Sequence, residues 1–230
     1  MTSHAVPKPP AEGHRRSVAL FGGTFDPIHS GHIAVAEAAQ RRFHLDAIHF
    51  IPSSRPPHKM KLALTPFLHR YAMVAVACAE HGNFLPSPAE YEMDGGLPRV
   101  SYTIDTVRRF HREHPKDHLY FVIGADQFLE LPTWKSYEAL LDSCDFIVAS
   151  RPGFKLDALR LVIPPEKIRG SSGQSPNMIA LRKSAIYFLT TVSSYVSSTE
   201  IRDRVEKGKS IRGSVPLRVE KYIIGQALYR

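Results

Sequence analysis

Residues 17–43, SVALFGGTFDPIHSGHIAVAEAAQRRF, decide the reading of this chain. SVALF is a short apolar run with a β-branched residue, and IAVAEAAQRRF is rich in good helix formers, so the segment reads as strand, turn, helix. Gly22, Gly23 and Pro27 suit a chain reversal. His29 and His32 do not serve a reversal. They stand three apart at the helix entrance, a spacing that turns both toward the same side. A helix N-terminus presents unpaired N–H groups and a partial positive charge, and glycines let the backbone come close to an anion. The turn therefore reads as a phosphate site to which two imidazoles add donors. Zinc would need further ligands, and no Cys, Asp or third His stands at a fitting offset. Neither the Walker spacing nor the G-x-G-x-x-G dinucleotide spacing is present.

Working outward, AIHFIP, HLYFVIG, DFIVAS and AIYFLTT are further near-continuous apolar runs, as expected of strands buried on both faces of a parallel sheet. Helical patterns lie between them. SGHIAVAEAAQRRF places Ile33, Ala36, Gln40 and Phe43 on one stripe, TPFLHRYAMVAVACAEH opens with a Thr-Pro start signal, and SYTIDTVRRFHREHP supplies another helix. Alternation of this kind predicts a Rossmann-like, doubly wound α/β sheet, whose ligands sit beyond the carboxyl ends of the strands. Residues 17–230 are expected to form a single domain, after a floppy Pro-rich tail over 1–16. Residues 155–184, rich in Pro, Gly and Ser, read as a loop-rich connection.

The chain has 30 Lys and Arg against 22 Asp and Glu, a formal charge of +8. That favours anionic partners, although a solvated basic surface is its ordinary meaning. No basic cluster carries the aromatic interleaving of a single-strand groove, so nucleic acid is not expected. Neither is a membrane, since no uncharged apolar run approaches the ~20 residues of a span and no signal peptide opens the chain. Cys78 and Cys144 fit neither a zinc spacing nor a redox pair, and two free thiols suit a reducing cytoplasm. Whether the chain forms a homo-oligomer is left open.

A second constellation lies in YVSSTEIRDRVEKGKSI. Ser197 followed by Glu200 is a capping-box pattern, so a helix starts there, with Arg202 in its first turns. Alone this is a capped surface helix. Beside the histidine turn, two helix N-termini, two imidazoles and an Arg with bidentate donors suit a polyphosphate.

GGTFDPIHSGH resembles the G-x-F-x-P-x-H-x-G-H motif of the HxGH nucleotidyltransferase superfamily, and SSTEIR resembles its partner motif S-S/T-x-I-R. IPSSRPPHK, SYTIDT, IGADQFLELPTWKSYE, DFIVASRPG and the closing ALYR are similar to segments of bacterial nicotinate-nucleotide adenylyltransferases, from about residue 17 onward and more weakly over 155–185. The resemblance implies the nucleotidyltransferase fold and transfer of the ATP adenylyl group to nicotinate mononucleotide, as a step of NAD biosynthesis, with magnesium arriving on ATP. It implies that His29, His32 and Arg202 hold the phosphates. Gly22, Gly23, Thr24 and Phe25 would lie along the triphosphate, Ser198 and Thr199 at the second helix N-terminus, and Gly124 and Asp126 at the ribose. On the acceptor side it implies Trp134 stacked on the nicotinate ring, Thr103 and Lys135 near the carboxylate end, and Ser53, Ser54, His58, Lys59 and Arg151 on the phosphate side. Choosing a carboxylate over an amide calls for donors and no opposing carboxylate. Two rivals stand beside this reading. One is a sister enzyme that adenylylates nicotinamide mononucleotide or phosphopantetheine, and the other is a non-catalytic nucleotide-binding protein.

Overall fold

The computed structural model describes residues 15–55, 63–94, 97–150, 157–170, 175, 177–190 and 196–230. In chain order they form β1 (Ser17–Gly23), α1 (Ser30–Phe43), β2 (Ala47–Pro52), α2 (Phe67–Cys78), β3 (Phe84–Pro86), β4 (Met93–Asp94), β5 (Leu97–Pro98) and α3 (Thr103–Glu113). Then follow β6 (His118–Gly124), α4 (Ala125–Leu129), α5 (Tyr137–Leu141), β7 (Asp145–Ala149), α6 (Asp157–Arg160), β8 (Met178–Ala180), β9 (Ala185–Leu189), α7 (Ser198–Glu206) and α8 (Leu217–Gly225).

The apolar runs become the sheet. Its order is β3-β2-β1-β6-β7-β9-β8, and every pairing is parallel except that of β8 with β9. Central strands are covered on both faces, so their side chains are apolar in both directions: Val18 and Leu20 point into one core, Ala19 and Phe21 into the other. The first core is closed by residues of α3, α4 and α5, such as Val107, Phe128 and Leu140. The second is closed by α1, α2, α7 and α8, through Ala36, Val74, Ile201 and Val219. Winding runs outward from β1 through β2 to β3, and the other way from β6 through β7 to β9. The strand order therefore reverses between β1 and β6, where a doubly wound sheet opens its crevice.

Three local expectations are corrected. The buried stripe of α1 is Ile33, Ala36 and Ala39, while Gln40 and Phe43 are only half-buried; Ala39 follows Ala36 at the i+3 spacing and lets the helix lie close to the sheet. Pro66 is the residue before the first turn of α2 rather than its first residue. The loop-rich stretch 155–184 contains α6 and the edge strand β8. Residues 1–14 of the expected tail lie outside the described residues, and among the described residues no helix is long and apolar enough to cross a membrane. Cys78 and Cys144 are free and buried, and burial pushes both thiols up, Cys78 to about 12.

Candidate active site

The carboxyl ends of β1 and β6 open onto two adjoining cavities that share Gly22, Gly23, Thr24, Ile123 and Gln127. The larger, about 640 Å³, is also lined by Phe25, His29, His32, Gly124, Asp126, Ser150 and Ser198. That size suits a nucleotide. The smaller, about 160 Å³, is lined by Ser53, Glu90, Thr103, Trp134 and Lys135. Residues from seven separated stretches of sequence thus meet along one crevice.

His29 and His32 stack with ring centroids 3.6 Å apart. The backbone N–H of His29 donates to Nδ1 of His32 at 3.2 Å, so the neutral His32 ring carries its proton on Nε2. Phe25 and Phe21 hold that ring edge-on, with centroids at 5.0 and 5.9 Å. Burial lowers the pKa of His29 to about 4. Burial, and then the neighbouring His29, hold His32 well below 6.5. Both rings are neutral donors at neutral pH rather than cations. Nδ1 of His29 is buried with no partner among the described residues.

The two glycines serve packing as well as approach. A Cβ on Gly23 would stand 3.0 Å from the Phe25 ring, and one on Gly22 would stand 3.2 Å from that of Phe121. Phe25 is 2% exposed and takes a positive φ of 49°, which is costly for a bulky residue. Its ring fills the space beneath the turn that a side chain on Gly23 would occupy.

The first turn of α1 is partly engaged. The Ser30 amide donates to the Ser214 carbonyl at 2.9 Å and that of His32 to the His29 carbonyl at 2.9 Å. At α7 the cap forms as expected, Ser197 Oγ accepting from the Glu200 amide at 3.2 Å. Ser198 Oγ donates to the Pro27 carbonyl at 2.9 Å. Arg202 does not line the cavity. Its Nη1 donates to the Asp26 carbonyl at 2.6 Å and so ties α7 to the histidine turn, while its Nη2 donates to Thr199 Oγ1 of the same helix at 3.4 Å. Asp126 is exposed in the first turn of α4. Its Oδ1 lies 2.6 Å from where a Cβ on Gly124 would stand, so glycine there lets the carboxylate fold back along the strand end.

In the smaller cavity Ser53 Oγ donates to the Gly23 carbonyl at 3.2 Å. Thr103 begins α3, and Trp134 packs edge-on to Phe121 with centroids 6.4 Å apart. Lys135 pairs with Asp105 at 2.9 Å and lies over the Tyr102 ring at 4.4 Å. Ser54 departs from the expectation: it is 6% exposed, lines neither cavity, and offers its carbonyl to Arg70 at 3.2 Å. His58, Lys59 and Arg151 lie outside the described residues.

Sequence reasoning missed Glu90, Arg70, Asp26 and Tyr229. Glu90 is a carboxyl in the smaller cavity, where the sequence called for none. It accepts from Ser101 Oγ at 2.6 Å and Thr106 Oγ1 at 3.1 Å, and burial raises its pKa. Arg70, 1% exposed, was legible only as one charge among Phe67, Met73, Val74 and Ala77 on the buried face of α2.

The neutral histidines imply a pH effect. Burial lowers His49 to about 4 as well, while an unfolded imidazole titrates near 6.5. The unfolded chain therefore binds more protons between those values, so stability is full above about pH 6.5 and falls as pH drops toward 4. Melts at pH 7.5 and 5 are expected to differ by roughly 5 °C or more. His29→Asn and His49→Asn should each flatten that dependence, and an unchanged slope would mean the rings titrate normally.

Residues 20–204 match the family model described as Cytidylyltransferase-like, a span that takes in both the strand entering the histidine turn and the helix carrying Arg202. The chain is a nucleotidyltransferase of that class. Over 214 residues it is 41% identical to a Moorella thermoacetica protein named "Probable nicotinate-nucleotide adenylyltransferase", covering 93% of this chain and 91% of that one. A Geobacter sulfurreducens protein of the same name is 39% identical, covering 91% and 96%. The chain belongs to the nicotinate-nucleotide adenylyltransferase family. The fold is shared with Plasmodium falciparum nicotinic acid mononucleotide adenylyltransferase, solved with APC (20% identity, TM-score 0.69) and with NaAD (21%, 0.71), each covering 94% of this chain and 98% of the other.

Proposed function

We propose that this chain transfers the adenylyl group of ATP to nicotinate mononucleotide, giving deamido-NAD and pyrophosphate. The observation that carries the reading is the junction of the two cavities at Gly22, Gly23 and Thr24. ATP in the larger and a mononucleotide in the smaller would bring the α-phosphorus and the acceptor phosphate together there. The relatives' names and the NaAD complex of the Plasmodium enzyme point to the same pair of substrates.

An oxygen of the acceptor phosphate attacks the α-phosphorus in line, forming the new P–O bond. The bond from the α-phosphorus to the bridging oxygen breaks, and its electron pair leaves with pyrophosphate. The acceptor is already ionised at neutral pH, so neither a general base nor a covalent enzyme intermediate is required. Positioning and charge stabilisation supply the catalysis. Nε2 of His32 and the ring of His29 donate to the phosphates, the backbone at Gly23 and Thr24 lines the junction, and Asp126 accepts from the ribose hydroxyls. Arg202 would have to exchange its hold on the Asp26 carbonyl for a phosphate, or act by fixing the turn.

Magnesium suits this arrangement as a companion of ATP. It would be held chiefly by the substrate phosphates and water, because Asp126, the carboxylate that lines the nucleotide cavity, is taken by the ribose. Among the described residues no group of three or more His, Cys, Asp or Glu is placed to cage a metal.

Glu90 is the observation that favours the rival acceptor, nicotinamide mononucleotide, because a carboxylate prefers an amide. Its oxygens are already occupied by Ser101 and Thr106, and Thr103 at the start of α3 faces the same cavity, so nicotinate is favoured. Pyrophosphate release measured with nicotinate mononucleotide, nicotinamide mononucleotide and phosphopantetheine in turn tests this. Release that depends on the first is expected. Release with none of them would leave a nucleotide-binding protein.

The acceptor side carries a separable expectation. Trp134→Ala removes a stacking face common to both pyridine rings and should weaken both mononucleotides by about 1 kcal/mol or more. Thr103→Val removes a donor whose bond to a charged carboxylate is stronger than its bond to an amide oxygen, so kcat/KM should fall more for nicotinate than for nicotinamide mononucleotide. An unchanged ratio in folded Thr103→Val protein would remove Thr103 from the acceptor site.

A further inference from the structure

The turn between β1 and α1 is held through one buried residue. Asp26 is 4% exposed, and each of its three oxygens is engaged by a different part of the chain. Its carbonyl accepts from Arg202 on α7 at 2.6 Å, Oδ2 accepts from the Thr65 amide ahead of α2 at 3.2 Å, and Oδ1 accepts from the Tyr229 hydroxyl at 2.7 Å. Two of these partners hold through backbone or through a motif residue already described. Tyr229 lies beyond α8, about 200 residues from the turn it touches.

The path that brings it there is conformationally costly. Ala227 and Tyr229 both take left-handed φ, 51° and 62°, each disfavoured for a residue with a Cβ by roughly 1–2 kcal/mol. The Leu228 amide donates to the Ile223 carbonyl at 3.0 Å, folding the segment back onto α8. Leu228 and Tyr229 then pack against the core formed by α1, α2 and α8. Burial, and next the neighbouring Asp26, push the Tyr229 phenol well up, so it remains a proton donor throughout the working range. A segment that needed only to cover the core would have no use for a hydroxyl aimed at a carboxylate.

We propose that Tyr229 is a positioning residue for adenylyl transfer: its hydroxyl fixes the Asp26 side chain, and through it the backbone of the turn that leads from Thr24 to His29. This rests on the function proposed above. Asp26 and Tyr229 line neither cavity, so the effect passes through the shape of the turn. Misplacing donors against a reacting phosphate by a fraction of an ångström slows the chemical step more than it weakens the ground state.

Tyr229→Phe keeps the ring and removes the hydroxyl. The expected result is a fall in kcat of about tenfold per folded molecule, the size of one hydrogen bond to a carboxylate, with the KM for the acceptor within about twofold. Measured well below the melting temperature, a purely structural role would lower Tm and leave kcat untouched. That outcome, or wild-type kcat with wild-type Tm, overturns the proposal. In an Asp26→Ala background Tyr229→Phe should cause no further loss, whereas an additive tenfold loss would show that Tyr229 does not act through Asp26. The wild-type protein is assayed alongside. Absence of nicotinate-mononucleotide-dependent pyrophosphate release there overturns the underlying function, while transfer retained in full by Tyr229→Phe overturns the role of Tyr229 alone.

Discussion

His32→Ala is expected to cut turnover at saturating substrates by about two orders of magnitude or more, because a fixed donor aimed at developing phosphate charge is worth that much. The ring is fixed on every side. Its Nδ1 accepts from the His29 amide, its face lies on His29, and its edges meet Phe21 and Phe25. Nε2 is the only proton-bearing atom left to meet a ligand, and the lowered pKa keeps the ring from acting as a cation in the free protein. Truncation also leaves the His29 amide without that acceptor, so a modest loss of Tm accompanies the kinetic effect. His32→Asn separates the two. Its carboxamide oxygen can accept from the His29 amide, restoring stability, but the shorter side chain places no donor where Nε2 was. Both variants should therefore be slow and only the alanine variant less stable. Near wild-type turnover in folded His32→Ala protein would remove this ring from catalysis.

What was legible in the sequence was local. SVALF, AIHFIP, HLYFVIG, DFIVAS and AIYFLTT all became strands because burial on both faces leaves continuous apolar runs. The histidine turn stood out as a candidate site because its residues exceed what a reversal needs, and the fold places both rings on the larger cavity. The short strands β3 and β8 were missed because Phe84–Pro86 and Met178–Ala180 are three residues each, too short for any period to show. Arg202 illustrates the other limit. Its place in SSTEIR points to phosphate, and only the fold reveals that the guanidinium donates to the Asp26 carbonyl, 176 positions away. Glu90 and Tyr229 escaped for the same reason, since their partners are set by packing between distant segments and leave no trace in spacing. The glycines were half read, because a close approach to phosphate and a close approach to Phe25 ask for the same missing Cβ.

Arg70 carries the largest expected effect on stability. A buried guanidinium is ordinarily poor evidence of stabilisation, since desolvation opposes its charge and an apolar replacement is often neutral. Here desolvation lowers its pKa and Asp26 is the first of the groups that raise it. The difference lies in what the side chain holds. Nε donates to the Thr65 carbonyl at 2.8 Å, Nη1 to that of Thr24 at 2.7 Å and Nη2 to that of Ser54 at 3.2 Å, while the guanidinium lies over the Phe67 ring at 5.5 Å. One side chain thus closes the loops after β1 and β2 against the start of α2. Arg70→Leu would satisfy the hydrophobic surroundings and strand three backbone carbonyls, each costing about 1–3 kcal/mol when left unpaired. Relaxation of the loops toward water recovers part of that, so a net loss of about 3–5 kcal/mol and roughly 10 °C in Tm is expected. Arg70→Lys reaches fewer of the carbonyls and should fall between. Because Thr24 lines both cavities, whatever remains folded should also turn over slowly. Thermal melts of the two variants decide the matter. An unchanged Tm in Arg70→Leu would mean that water serves those carbonyls as well as the guanidinium does, and that the two loops are held by their packing alone.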